Sequence, residues 1–391
     1  MNRNLILLTL SQALMMTVVG LLLSASALVG ARLAGSAALA TLPLALQYLV
    51  TLLALAPASR LMARWGRGPV FMAGAACGGA GLLLAAAGIA FESFSLFCMG
   101  AACVGIYGAV GQFYRFAAIE AVPLAQRGRA VALTLSGGVL AAFAGPAIAR
   151  ATRDLLAEPF LASFLALVAG AFLAALLAGA LHLPEAVAGR RDAPRRSLRD
   201  LLDDAALRLA LIGGMVAYGV MNLLMTATPL AMLCARLDFA ATAGVIQWHL
   251  VAMFAPSFLT GALIGRVGTR AVMALGTVLT LGGIAVALAG TALAHFEGAL
   301  VLVGVGWNFL YVAATSLLAE SWREEDKARV QALNDSLVFG VVSLATFGAG
   351  PLVDRLGWES VNLLAALPLI GLLVGVWRWR PRPGGALASR G

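Results

Sequence analysis

The chain has 391 residues, of which 61% are hydrophobic and only 12% are charged. A soluble domain carries about twice that charged fraction, so the composition excludes an ordinary soluble protein. The formal net charge of +9 raises the alternative of a nucleic-acid partner. The basic residues lie in short polar segments between apolar runs, however, and this placement indicates membrane topology rather than nucleic-acid binding.

Apolar runs of about 20 residues, the length that crosses a bilayer as a helix, recur along the whole chain. The first run follows Asn2 with no convincing cleavage site, so we predict a retained span rather than a cleaved signal peptide. The pattern predicts an all-α membrane protein with twelve transmembrane helices at 4–29, 37–59, 69–90, 94–118, 130–150, 159–182, 208–234, 240–265, 271–293, 298–319, 329–352 and 359–377.

The polar segments between these spans alternate between arginine-rich and arginine-poor. Most of the 27 Lys and Arg fall on one side, and the other side receives only Arg32, Arg150, Arg153, Arg236 and Arg355. Arginine-rich loops remain in the cytoplasm, so both termini are predicted to be cytoplasmic. We expect the lipid bilayer as the surroundings of a monomer, with no nucleic acid and no cofactor.

The longest polar segment, 183–206, divides the chain into two predicted six-helix bundles, 1–182 and 207–391. Short motifs recur between the two halves at nearly constant offsets. Glu120 with Arg127-Gly-Arg matches Glu320 with Lys327-Ala-Arg, and Gly145-Pro matches Gly350-Pro. Parallel six-helix repeats of this kind are typical of one architecture of secondary transporters.

The loop L-M-A-R-W-G-R-G at 61–68 and its repeat G-A-L-I-G-R-V-G-T-R at 261–270 resemble the signature of the major facilitator superfamily. The family usually has an acidic residue before the first arginine, where this chain has Ala63 and Gly265. The resemblance implies the major facilitator fold and a transporter that works by alternating access rather than an enzyme.

Four soft metal-ligand candidates lie in the seventh and eighth predicted spans: Met221, Met225, His249 and Met253. Each pair has the spacing i, i+4 and therefore lies on one helical face. The two spans are consecutive and therefore antiparallel. Counting equal distances inward from Arg208 and Arg266, at the cytoplasmic ends, sets Met221 level with Met253 and Met225 level with His249, so the two spans are predicted to pair with these side chains across one groove. Thioether and imidazole groups suit copper, especially Cu(I). The alternative is that these side chains pack in the core or face lipid.

The M-x-x-x-M and H-x-x-x-M pair is similar to the signature of the CcoA-type copper importers, a branch of that superfamily. The resemblance implies that copper is the transported substrate, carried across a bacterial inner membrane from periplasm to cytoplasm for haem–copper oxidase assembly and passed to an unidentified cytoplasmic acceptor. It also gives Cys234 a weak case as an accessory ligand. The alternative function is an organic-solute or drug transporter of the same fold, in which the methionines form a flexible apolar wall.

Polar residues near the inner ends of the spans suggest a gate. Arg115 and Glu120 are predicted to pair there, and Asp335 is the most deeply placed acidic residue, with none predicted at mid-membrane. Because carboxylates within the bundle usually carry proton coupling, their expected absence disfavours a carboxylate-driven antiporter. Trp307 and Asn308 in the tenth span are candidates to face a cavity.

Overall fold

The computed structural model describes residues 3–123, 127–183, 198–321 and 326–379, and within these ranges the chain is helical with no β-strand. The first half contains seven α-helices and one short 3-10 turn, Ala37–Leu39. Its helices are α1 (Arg3–Ala34), α2 (Leu42–Trp65), α3 (Arg67–Ala90), α4 (Phe94–Gly111), α5 (Tyr114–Glu120), α6 (Arg127–Thr152) and α7 (Leu161–Gly179).

The second half begins with the short α8 (Leu198–Leu202), which lies in the predicted linker 183–206. Residues 184–197 of that linker lie outside the described ranges, so the domain boundaries at 182 and 207 stay a prediction. The remaining helices are α9 (Ala205–Cys234), α10 (Phe239–Phe254), α11 (Ser257–Val267), α12 (Thr269–Leu288), α13 (Leu293–Ser321) and α14 (Lys327–Arg378).

The described helices account for the predicted spans. Nine are long and apolar enough to cross a membrane, and a tenth span is the bent pair α10 and α11, whose segments meet at 49°. The 52-residue α14 is broken at Gly357, where φ is 76°, so it contains two spans. With the 26-residue α6, the helical segments match the prediction of an all-α membrane protein with the major facilitator fold.

The tight turns of the repeated loop motif depend on glycine. Gly66, between α2 and α3, and Gly268, between α11 and α12, adopt φ values of 81° and 85°. A residue with a Cβ rarely adopts this backbone region, whereas glycine enters it at no steric cost. The repeat recognised in the sequence therefore corresponds to the same turn built twice.

Helix packing also repeats between the halves. In the first half α3 packs on α4 and α1 packs on α6, and in the second half α12 packs on α13 and α9 packs on α14. Small residues allow this approach in a membrane. A Cβ added at Gly81 of α3 would lie 2.7 Å from the Gly100 carbonyl oxygen, and one at Gly276 of α12 would lie 2.5 Å from the Leu310 amide nitrogen.

The halves meet mainly where α6 packs on α10 and where α14 packs on α2. The prediction that the seventh and eighth spans pair as direct neighbours across one groove is wrong. The seventh span, α9, packs chiefly on α14 and α13, and it contacts α10 only lightly. The physical reason is that α13 packs against both helices within this half, while α10 also packs on α6 of the other half.

Candidate functional site

A cavity of about 600 Å³ lies between the two halves, and α1, α2, α4, α6, α9, α10, α13 and α14 all contribute to its wall. Ligand pockets for small organic molecules have roughly this size, in the range of about 300–1,000 Å³. The wall is mostly apolar, with a limited number of amide, hydroxyl and charged groups from both halves. This combination is typical of a site that encloses a solute and orients it through a few polar contacts.

An aromatic cluster forms the side of the cavity in the second half. The rings of Trp307 and Tyr311, one helical turn apart on α13, are stacked with centroids 5.3 Å apart and planes at 9°. Tyr218 of α9 stands perpendicular to both, with centroid distances of 5.1 Å to Trp307 and 5.0 Å to Tyr311. Phe254 and Phe339 extend the cluster at longer range. All five rings line the cavity.

Amide side chains add polarity to this wall. Asn222 of α9 and Gln47 of α2 line the cavity and are buried, and neither Asn222 Oδ1 nor Gln47 Oε1 has a hydrogen-bond partner among the described residues. The indole Nε1 of Trp307 is likewise unpartnered within the described chain. Buried polar atoms almost always have partners, so unpaired ones that line a cavity indicate contacts with a ligand or with water.

Asn308, which the sequence singled out, both lines the cavity and stabilises the bend between α10 and α11. Its Nδ2 donates to the carbonyl oxygen of Met253 at 2.7 Å and to Ser257 Oγ at 2.6 Å. Its Oδ1 accepts from Thr260 Oγ1 at 2.6 Å. Helix ends inside a membrane need such partners because no water is available to them.

The predicted pair of Arg115 and Glu120 is not formed. Glu120 forms an ion pair with Arg67, the residue that begins α3. Arg115 instead lines the cavity, with its guanidinium 5.0 Å from the centroid of the Phe116 ring. The reason is that Arg115 and Glu120 are five residues apart on α5, which places their side chains on different sides of the helix.

Asp335 of α14 also lines the cavity, where it interacts electrostatically with Arg115 across the two halves. Its carboxylate accepts a hydrogen bond from Asn334 Nδ2 at 3.2 Å. Asp335, predicted as the most deeply placed acidic residue, contributes to the cavity wall, which was not predicted from the sequence. A cation and an anion from opposite halves thus mark one region of the cavity.

Three of the four predicted metal ligands share the cavity wall, namely Met221, Met225 and Met253. His249 is fully buried but does not line the cavity in the described structure. Its Nδ1 lies 2.6 Å from the Leu300 carbonyl oxygen of α13, while Nε2 has no partner in the described residues. Cys234 is exposed at the end of α9, away from the cavity wall. Copper binding by the four residues stays a prediction.

One end of the cavity is closed by contacts between the halves. Arg150 Nη2 of α6 donates to Gln247 Oε1 of α10 at 2.8 Å. Beside them the guanidinium of Arg153 lies 5.5 Å from the Phe160 ring centroid and 5.2 Å from that of Phe239. These residues lie in or next to the helix ends that flank the arginine-poor loops, so the closed end is opposite the basic loops, and the Arg115–Asp335 region faces the basic end.

Sequence reasoning missed Tyr218, Gln47 and Asn222 as cavity residues. The available signal was their polarity within long apolar spans, because polar side chains in transmembrane helices usually face the bundle interior. Asn222 lies between Met221 and Met225, but only the methionine spacing was interpreted as a site. The direction that each side chain takes depends on helix rotation, which the sequence does not give.

Two repeated helical bundles around a central closed-ended cavity define a secondary transporter. The chain belongs to the Major Facilitator Superfamily, whose family model matches residues 5–245 and 210–390. Members of this superfamily are transporters and not enzymes. The chain is thus a multi-pass membrane transport protein.

Three relatives are similar along most of their length. The riboflavin transporter RfnT of Brucella anthropi is 37% identical, over 99% of this chain and 98% of that protein. The uncharacterized MFS-type transporter YdeG of Bacillus subtilis is 30% identical, over 90% of this chain and 86% of YdeG. The uncharacterized MFS-type transporter YddS of Bacillus subtilis is 27% identical, over 81% of this chain and 77% of YddS.

Proposed function

We propose that this chain transports an organic solute with a planar aromatic ring, and that riboflavin is the first solute to test. The observation that carries the proposal is the cavity of about 600 Å³ with the stacked rings of Trp307 and Tyr311 in its wall. A flat ring system gains both apolar burial and favourable ring geometry on such a surface. The full-length similarity to a riboflavin transporter supports the same class of solute.

The electrostatic layout fits a neutral, hydrogen-bonding solute. Arg115 and Asp335 offset each other's charge in the wall, so the cavity favours neither a strong anion nor a strong cation. The unpaired atoms Asn222 Oδ1, Gln47 Oε1 and Trp307 Nε1 offer acceptors and a donor from both halves. A solute that carries amide-like and hydroxyl groups would satisfy them while its ring occupies the aromatic surface.

Copper import, which the sequence resemblance implies, has less support. Met221, Met225 and Met253 line the cavity, but the imidazole of His249 is directed into a contact with Leu300 outside the cavity wall. The cavity is also far larger than an ion needs. The superfamily match carries no information on a metal substrate, so the organic-solute alternative becomes the main proposal.

The proposed setting follows from the arginine distribution. We place the chain in a bacterial inner membrane with both termini in the cytoplasm, because the arginine-rich loops lie at one end of the bundle. In this orientation the closed end faces the periplasm and the Arg115–Asp335 region faces the cytoplasm. We propose that the transporter acts as a monomer, with the lipid bilayer and the solute as its only partners and no cofactor.

The test measures uptake of radiolabelled riboflavin by bacteria that cannot make or import it. Cells with the intact chain should accumulate riboflavin, and Trp307→Ala should reduce the initial rate about tenfold or more at equal protein level. Trp377→Ala removes an equally large ring that is 76% exposed outside the cavity, and it should retain the wild-type rate. No uptake by the intact chain would overturn the proposal.

Copper accumulation measured in the same cells separates the two functions. The organic-solute proposal expects equal cellular copper with and without the chain, and no effect of replacing both Met221 and Met225 with Leu on that copper level. Copper accumulation that depends on these two residues, together with no riboflavin uptake, would support the metal substrate instead.

A further inference from the structure

The amide of Asn222 is held in one orientation by a residue behind it. Asn222 Nδ2 donates a hydrogen bond to Thr346 Oγ1 of α14. The Thr346 hydroxyl donates its own proton to the Val342 carbonyl oxygen at 2.8 Å, so its oxygen can only accept a hydrogen bond from Asn222. A flipped amide would set two acceptors against each other. The Asn222 carbonyl oxygen is therefore fixed as the group without a protein partner.

Asn222 lies one helical turn from a residue of the aromatic cluster. Asn222 follows Tyr218 by one helical turn on α9, so both side chains lie on the same face, and both line the cavity. Asn222 is fully buried, and its Oδ1 has no partner among the described residues. A ring that packs against Tyr218 would present its edge toward Asn222, and an N–H on that edge would meet an acceptor with no competing protein donor.

We propose that Asn222 determines substrate specificity by accepting a hydrogen bond from a ring-edge N–H of the solute, and that Thr346 is its positioning residue. The inference rests on the proposed organic-solute function and adds the chemical group that is recognised. A buried acceptor built for one donor rejects analogues that lack this donor, because the acceptor is then left desolvated and unpaired. The imide N–H of the riboflavin ring is such a donor, and its ribityl hydroxyls are a second kind.

The first experiment compares riboflavin with its N3-methyl derivative, which lacks only the imide proton, and with lumichrome, which keeps the imide but has no ribityl chain. The intact chain should show a kcat/KM for the N3-methyl derivative about tenfold or more below that for riboflavin. Asn222→Leu should raise the KM for riboflavin and bring the two substrates to nearly equal kcat/KM. Lumichrome should inhibit riboflavin uptake by the intact chain and should no longer inhibit uptake by Asn222→Leu.

The second experiment tests Thr346 with a matched control. Thr346 and Thr277 are both fully buried and both donate to the carbonyl four residues earlier, but only Thr346 also accepts from an asparagine. Thr346→Val should raise the KM for riboflavin about tenfold, and Thr346→Ser should restore it. Thr277→Val, which removes the same hydroxyl elsewhere, should leave the KM at the wild-type value.

The outcomes separate the two proposals. Riboflavin uptake with equal preference for the N3-methyl derivative, or with an unchanged KM in Asn222→Leu and Thr346→Val, would overturn the role of Asn222 and leave the proposed function intact. If compounds without ribityl hydroxyls, such as lumichrome, fail to compete with riboflavin for uptake by the intact chain, the Asn222 acceptor is assigned to a ribityl hydroxyl. That result would overturn the assignment to the ring-edge N–H. No riboflavin uptake by the intact chain would overturn both.

Discussion

The backbone N–H of Gly350 donates a hydrogen bond to the hydroxyl oxygen of Thr41 at 3.1 Å, and this contact joins the two halves at the end opposite the basic loops. The approach requires glycine, because an added Cβ would lie 2.9 Å from the carbonyl oxygens of Ala37 and Ala38. Gly145, its counterpart in the sequence repeat, packs inside its own half against α1, where a Cβ would lie 3.0 Å from the Thr17 carbonyl oxygen.

Gly350→Ala should therefore weaken closure at this end and shift the transporter toward the state that is open there. In a background without native cysteines, a cysteine at Met225 should react faster with a membrane-impermeant maleimide added outside. Gly348→Ala is the matched control on the same helix, because its Cβ would meet only Leu352 Cδ1 at an ordinary 3.7 Å. Equal labelling rates in both variants would show that the Gly350 contact does not control access.

The bend between α10 and α11 depends on Asn308. Asn308→Leu should lower the free energy of unfolding by about 1–3 kcal/mol, because the Met253 carbonyl and Ser257 hydroxyl lose a buried donor. Thermal unfolding of purified protein in detergent measures this change. Asn362→Leu should cost less, since Asn362 donates only to the carbonyl of its own helix at Trp358. A greater loss in Asn362→Leu would contradict this assignment.

The ion pair between Arg67 and Glu120 should contribute little to stability. Glu120 is 41% exposed in its side chain, and exposed pairs contribute about 0–1 kcal/mol, less at high salt. Glu120→Gln should reduce the unfolding midpoint slightly, and a charge exchange of Arg67→Glu with Glu120→Arg should restore it. The same exchange between Arg115 and Glu120 should give no restoration. Restoration of the midpoint by the Arg115–Glu120 exchange would support the pair that the sequence suggested.

His249 should act on stability rather than on riboflavin recognition. His249→Ala removes a fully buried ring and its contact with the Leu300 carbonyl, which should cost about 2–4 kcal/mol of unfolding free energy. The KM for riboflavin should stay near the wild-type value, and the purified protein should bind the same small amount of copper with and without the substitution. If the purified protein retains copper and His249→Ala abolishes this retention, His249 is a metal ligand.

Local sequence patterns were sufficient to predict the membrane class, the spans and the repeat. Bilayer thickness requires apolar runs of fixed length, and the positions of Arg and of the turn glycines Gly66 and Gly268 follow from local rules that need no tertiary contact. The superfamily was evident from the same local motifs. These features are properties of single helices and of the turns that join them.

Which side chains share the cavity depends on helix packing and could not be predicted from the sequence. Spacing placed Met225 and His249 at one level, but helix rotation turned Met225 into the cavity and His249 toward Leu300. The prediction of a direct pairing of the seventh and eighth spans failed because α13 packs against both. The rotation of each helix and the identity of its neighbours depend on close packing among many small residues at once, so no short motif encodes them. The same packing brought Thr346 behind Asn222, a relationship across 124 residues of sequence.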